Sequence, residues 1–145
     1  MHLFQLVYVS KISESFDVDK DIDNILQIAN KRNKSLGITG MLIYRDGMFV
    51  QLLEGKKESV INIYGYIASD IRHDCIKTIY KNHIRDERIF EDWTMGLSRI
   101  NRDMESFEEI DNLWNQIMKD LDQHKLVDNN TILEFMKKFR FSKKS

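Results

Sequence analysis

Apolar residues fall into two rhythms along this chain, one of period two and one of period three to four. Residues 3–10, LFQLVYVS, are rich in Val, Leu and Tyr and predict a strand. Ile22, Ile25, Ile28/Ala29 and Leu36 then recur at helical spacing, behind an acidic start at Asp17, Asp19, Asp21 and Asp23 that suits a helix N-terminus. The run GITGMLIYRDGMFVQLLEG predicts two strands joined at Asp46-Gly47, a two-residue hairpin signal. With the turn there, Tyr44 pairs with Phe49 and Leu42 with Gln51, and all four share one face. A second helix carries Val60, Ile63/Tyr64, Ile67 and Ile71 as its buried stripe, with Arg72 and His73 at its C-terminal end. CIKTIYKNHI predicts a fourth strand and WTMGLSRI a short fifth.

Strand, helix, strand, strand, helix, strand, strand is the order of a split βαβ arrangement. The expected fold is therefore α+β and ferredoxin-like, a five-stranded sheet with two helices on one face. That topology makes the first and third strands neighbours, so Tyr8 can lie beside Gln51. The pattern changes near residue 103. Phe107, Ile110, Trp114, Ile117 and Leu121 form one helical stripe, and Ile132, Met136 and Phe139 a second, beyond a break at VDNNT. This divides the chain into residues 1–102 and a helical extension, 103–145, expected to cap the open sheet face and to offer a protein contact. Residues 103–134 hold nine acidic side chains against two lysines, while 135–145 hold five basic ones and no acid.

Composition narrows the functional classes. The 145 residues suit one compact domain, and a net charge of −1 offers no argument for nucleic acid or a membrane surface. No apolar run approaches the roughly 20 residues of a membrane helix. The N-terminus reads as a strand rather than a secretory signal, and a lone cysteine, Cys75, fits a reducing cytosol, so a cytoplasmic location is expected. His2, His73, His83 and His124 are scattered and form no close ligand pair with Cys75 or with one another. Neither GITG nor LEGKKES has phosphate-loop spacing, and the basic KKFRFSKKS reads as a solvated end.

One residue breaks the apolar pattern. On an alternating strand Phe49, Gln51 and Leu53 share a face, so a glutamine amide is buried where a greasy side chain is expected. Left without partners, such an amide costs roughly 1–3 kcal/mol. Tyr8 on the neighbouring strand is a suitable partner. Tyr8, Asn33, Gln51, Arg72 and His73 each have a plain structural role available, as rim hydroxyl, helix cap or helix-end charge. Together they would line the gap between two helices, with Ile25 and Ile67 as apolar walls, as a planar heteroaromatic ligand requires.

Five stretches, LVYVS, NKRNKSLGITGMLIY, GMFVQLLEG, SDIRHD and RIFEDWTMGLS, run in this order through residues 3–100, and together they resemble the BLUF family of flavin-binding blue-light sensors. The resemblance implies a bound flavin, FAD in first place, with FMN and riboflavin as alternatives. It implies that Tyr8 and Gln51 hydrogen-bond to each other and to the flavin ring, that Asn33 and Arg72 hold its polar edge, and that Ile25 and Ile67 sandwich it. Phe49, Asp70 and His73 match pocket-lining positions, and Trp93 and Met95 match a fifth-strand pair near the glutamine. Arg32 receives no role. A photoreceptor of this kind is no enzyme. It would pass its signal through the fifth strand and the C-terminal helices to a downstream protein in trans, or by rearranging a homo-oligomer, with no nucleic acid or membrane involved. Two other readings stay open: a chromophore-free ferredoxin-like interaction module, and a small enzyme on the same fold. Against the enzyme, SKISES lacks the Arg and Gly pattern of an acylphosphatase-like loop, and no nicotinamide-binding motif accompanies a flavin reductase reading.

Overall fold

A computed structural model describes residues 3–70, 73–84, 87–91 and 94–140, with residues 73–75 and 84 described by their backbone. The elements are β1 (Leu3–Ile12), α1 (Val18–Leu36), β2 (Thr39–Arg45), β3 (Met48–Gly55), α2 (Lys57–Ala68), β4 (His73–Ile84), β5 (Gly96–Arg99), α3 (Phe107–Asp122) and α4 (Asn129–Lys137). The acidic start of α1 works as a reciprocal cap. Asp17 accepts from the Lys20 N–H, and Asp21 accepts from the Asp17 N–H at 2.8 Å. At its other end Gly37 takes the left-handed conformation, φ 67°, and the helix stops. Asp46 and Gly47 both have positive φ, 48° and 81°, the geometry of the tight turn that joins twisted strands.

The strands form one sheet in the order β4-β1-β3-β2-β5. The β1–β3, β1–β4 and β2–β3 pairs are antiparallel, and β2–β5 is parallel. This is the ferredoxin-like arrangement with a fifth strand added at the β2 edge. Tyr8 stands opposite Gln51, and on the other side Leu42 stands opposite Gln51, as the hairpin pattern requires.

Strand alternation sends β1 and β3 side chains into two separate cores. Phe4, Leu6, Tyr8, Phe49 and Leu53 pack with Ile22 and Ala29 of α1 and Val60 and Ile63 of α2. Val7, Val9, Val50 and Leu52 pack on the opposite face with Ile110, Trp114 and Ile117 of α3 and Ile132, Phe135 and Met136 of α4. The apolar stripes after residue 103 are thus used on the face that α1 and α2 leave open. Arg45 of β2 adds an ionic tie, its Nη1 lying 2.7 Å from Asp111 Oδ1 on α3. No helix among the described residues is long and apolar enough to cross a membrane.

Three expectations need correction. The second helix ends at Ala68, where the Ser69 and Asp70 N–H groups fold back onto the Gly65 and Ile67 carbonyls. His73 accordingly opens β4, paired in register with Ile12, rather than closing a helix; Ile71 and Arg72 lie outside the described residues. The fifth strand begins at Gly96, because its pairing with β2 starts at Met41, so Met95 immediately precedes it and Trp93 lies outside the described residues. Finally, Leu36 and Ile28 are exposed, so the buried stripe of α1 is narrower than its apolar spacing suggests.

Glu54, at the end of β3, is fully buried. Its Oε2 accepts from the Gln5 amide at 2.8 Å and the Ile89 N–H at 2.9 Å, and its Oε1 accepts from the Phe90 N–H at 2.9 Å. The carboxylate fastens the segment before β5 to the central strands. Glu54→Leu would strand three buried donors, and urea unfolding should show a loss of roughly 2–4 kcal/mol.

Candidate functional site

The site grows from one strand position. Gln51 is buried in the middle of β3 on the α1/α2 face, and its two polar ends are occupied by different elements. Tyr8 OH, from β1, donates to Gln51 Oε1. Gln51 Nε2 donates to Met95 Sδ at 3.0 Å. An amide nitrogen has two hydrogens, so one N–H remains uncommitted. Met95 is fully buried, and its methyl packs beside Gly40, where an added Cβ would stand 3.3 Å from Met95 Cε and 2.0 Å from the Leu52 carbonyl oxygen. Glycine at position 40 is what lets β2, β3 and the methionine meet so closely.

Above this chain of bonds a cleft opens between α1 and α2. Its cavity volume is about 60 Å³, and the empty space counted out to the solvent-open mouth is about 500 Å³. Tyr8, Leu42 and Gln51 form its floor, Ile25, Ala29 and Arg32 one side, and Ile67 and Asp70 the other. Ile28 and Tyr66 flank the mouth, 48% and 69% exposed. Spaced by four residues, Ile25, Ala29 and Asn33 lie along one face of α1. Asn33 is fully buried; its Nδ2 donates to the Thr94 carbonyl at 2.9 Å, while its Oδ1 is buried with no hydrogen-bond partner. Arg32 Nε is likewise buried and unpartnered.

Burial pushes the Tyr8 phenol far above its ordinary value, and the neighbouring Tyr64 hydroxyl and Asp70 reinforce this while the Arg32 charge opposes it. Tyr8 is therefore a neutral donor throughout the physiological range. Arg32 is lowered, chiefly by its own desolvation.

The structure thus brings Tyr8, Gln51, Ile25, Ile67 and Asp70 to the cleft, with Met95 joined to it through Gln51 and Asn33 one turn beyond Ala29 on the same face of α1. Phe49 stands apart: it is fully buried against the Phe16 and Tyr44 rings, at 5.5 and 5.3 Å between centroids, and does not line the cleft. Trp93, Arg72 and the His73 side chain lie outside the described residues. Sequence reading missed Ala29, Ile28, Arg32, Leu42 and Tyr66 as cleft residues. Helical spacing from Ile25 would have found Ile28, Ala29 and Arg32, and the hairpin register would have found Leu42. Among the described residues no three His, Cys, Asp or Glu gather as a metal site.

A family model described as BLUF, sensors of blue-light using FAD, matches residues 3–96. The chain is 28% identical over 134 residues to a photoactivated adenylate cyclase subunit beta of Euglena longa, covering 92% of this chain and 15% of that protein. It is 42% identical over 71 residues to the blue light- and temperature-regulated antirepressor BluF of Escherichia coli (strain K12), 49% of this chain and 17% of that one. Among solved structures, BlsA in its photo-activated state superposes with a TM-score of 0.82 at 27% identity, over 100% of this chain and 99% of BlsA. BlrB, a BLUF protein in its dark state, superposes with a TM-score of 0.74 at 28% identity, over 98% of each chain. The chain spans about 15% of the length of the cyclase subunit it matches.

The Tyr8 shift has a testable sign. A phenol held neutral in the folded state stabilises the fold fully below its ordinary pKa of 10.0, and that contribution is lost as pH rises beyond it. Unfolding free energy should therefore fall more steeply above about pH 10 in the wild type than in Tyr8→Phe, with no phenolate absorbance from Tyr8 below that pH.

Proposed function

The chain belongs to the BLUF family of flavin-based blue-light sensors, and on that premise we propose that the cleft between α1 and α2 holds the isoalloxazine of FAD, with FMN and riboflavin as the other forms the cleft would accept. The observation that carries this reading is the buried Asn33 Oδ1, without a hydrogen-bond partner, one turn beyond the cleft-lining Ala29 on the same face of α1. Such an acceptor costs roughly 1–3 kcal/mol if nothing donates to it, and a ring imide N–H is a donor of the right kind. Ile25 and Ile67 supply apolar walls, and Gln51, with one N–H to spare, lines the same space. Arg72 holds the polar edge with Asn33 in this reading, and Asp70 and His73 line the pocket.

When bound, an oxidised flavin excited by blue light supplies a strong electron acceptor. Tyr8 would be the electron donor, and its hydroxyl is already hydrogen-bonded to Gln51 Oε1, so a proton shed by an oxidised phenol would have an acceptor in place. The same hydrogen bond would return the proton to Tyr8, and no substrate would be consumed. The lasting change is in Gln51, whose amide turns over or tautomerises. Turned over, it aims its carbonyl at Met95 Sδ, which has no hydrogen to donate, and its NH2 at Tyr8 OH. In a buried site that exchange is worth roughly a few kcal/mol, enough to bias a two-state element by about one to two orders of magnitude.

The bias passes through Met95 and Trp93, and from there to residues 103–145, which act as the output extension. The exposed faces of α3 and α4 would bind or release a partner protein in trans, or rearrange a homo-oligomer.

Purified full-length protein loaded with FAD should be yellow. Blue light should shift its absorption slightly to the red, and the shift should decay in darkness. Colourless protein that takes up no flavin would return the chain to the class of interaction modules. Tyr8→Phe should keep FAD and lose the shift. Gln51→Leu should lose the normal light state while its FAD affinity changes by less than about tenfold; an empty pocket in a folded Gln51→Leu protein would make Gln51 chiefly a ligand anchor.

A further inference from the structure

Thr94 sits directly before Met95 and is gripped twice by α1. Asn33 Nδ2 donates to its carbonyl at 2.9 Å, and its own hydroxyl donates to Asn30 Oδ1. Asn30 is itself oriented, since its Nδ2 donates to the Leu26 carbonyl at 2.9 Å within the helix. The hydrogen bonds therefore run from Asn33 to Thr94, across one peptide to Met95, and from Met95 Sδ to Gln51. Asn33 and Gln51 are the two amides proposed to read the flavin edge, and Thr94 and Met95 join them.

We propose that Thr94, held by Asn30, is a positioning residue that keeps the Met95 sulfur on Gln51 and thereby sets how quickly the light state reverts. The inference rests on the flavin reading of the cleft. In the dark arrangement Met95 Sδ accepts from Gln51 Nε2. After the amide turns over, a sulfur still clamped in place faces the Gln51 carbonyl oxygen, two acceptors without a proton between them. The clamp thus favours the dark arrangement on both counts, and releasing it prolongs the light state. The Asn30–Thr94 contact is a side-chain bond of this chain's own residues, so it can be removed while the Thr94 carbonyl still serves Asn33.

The test compares FAD-loaded wild type, Thr94→Val, Asn30→Ala, the double variant and Thr94→Ser. Thr94→Val is nearly isosteric and loses only the hydroxyl. The expected result is a dark recovery at least about threefold slower in each single variant, no further slowing in the double variant, and wild-type recovery in Thr94→Ser. A second readout is independent of the photocycle. The ¹³C-methyl NMR signal of Met95 in the dark should be displaced or broadened in Thr94→Val and Asn30→Ala, and restored in Thr94→Ser. Should one single variant not fold, the other removes the same bond from its opposite end. Recovery within a factor of about 1.5 of wild type, faster recovery, or additive effects in the double variant would each overturn the inference while leaving the flavin reading intact. A wild type that binds FAD but shows no red shift would overturn both.

Discussion

A carboxamide buried between two strands is the constraint on which the rest of this molecule turns. Gln51 has a donor end and an acceptor end, and in a low-dielectric core each must meet its complement. Tyr8 serves the oxygen and Met95 the nitrogen. Both depend on register. A one-residue slip of β1 against β3 would turn Tyr8 to the opposite face and bring an apolar neighbour to Gln51 in its place. The β1–β3 pairing runs without irregularity from Phe4 to Lys11, while the β1–β4 pairing tolerates two shifts.

The same strand carries a second buried polar side chain, and the contrast is instructive. Glu54 faces the opposite core, and its two oxygens accept three hydrogen bonds from donors on two other segments. An ionised carboxylate accepts at both oxygens, so turning it over exchanges like for like and changes nothing. Gln51 is chemically asymmetric, so turning it over exchanges donor for acceptor and changes every neighbour at once. One is built to fasten and the other can report.

The sheet separates two cores that share little except its own strands. The stretch leading into β5 is an exception, because Ile89 and Phe90 pack with α3 and α4 while Met95 packs with α1 and α2. Met95 and Phe90 thus lie close in sequence yet belong to different cores. Glu54 and the Asn30–Thr94 pair fix that stretch at two points and so limit how it can move.

Much of this was legible in the order of residues alone. Period-two and helical rhythms identified the strands and helices, the Asp46-Gly47 turn set the β2–β3 register, and the split βαβ order made β1 and β3 neighbours, so that Tyr8 could lie beside Gln51, because strand alternation and crossover handedness leave few alternatives. The BLUF motifs pointed to the cleft for the same reason: its residues sit at fixed offsets on those elements. Only the tertiary structure decided where pairing and packing stop. The end of α2 at Ala68, the start of β5 after Met95 and the burial of Phe49 under Phe16 and Tyr44 depend on which segments compete for the same backbone groups and ring faces. Likewise, the grip of Asn30 on Thr94 and of Glu54 on Ile89 and Phe90 spans 64, 35 and 36 residues of sequence. Such bonds leave no periodic trace, since they join irregular backbone to side chains whose orientation only the folded chain determines.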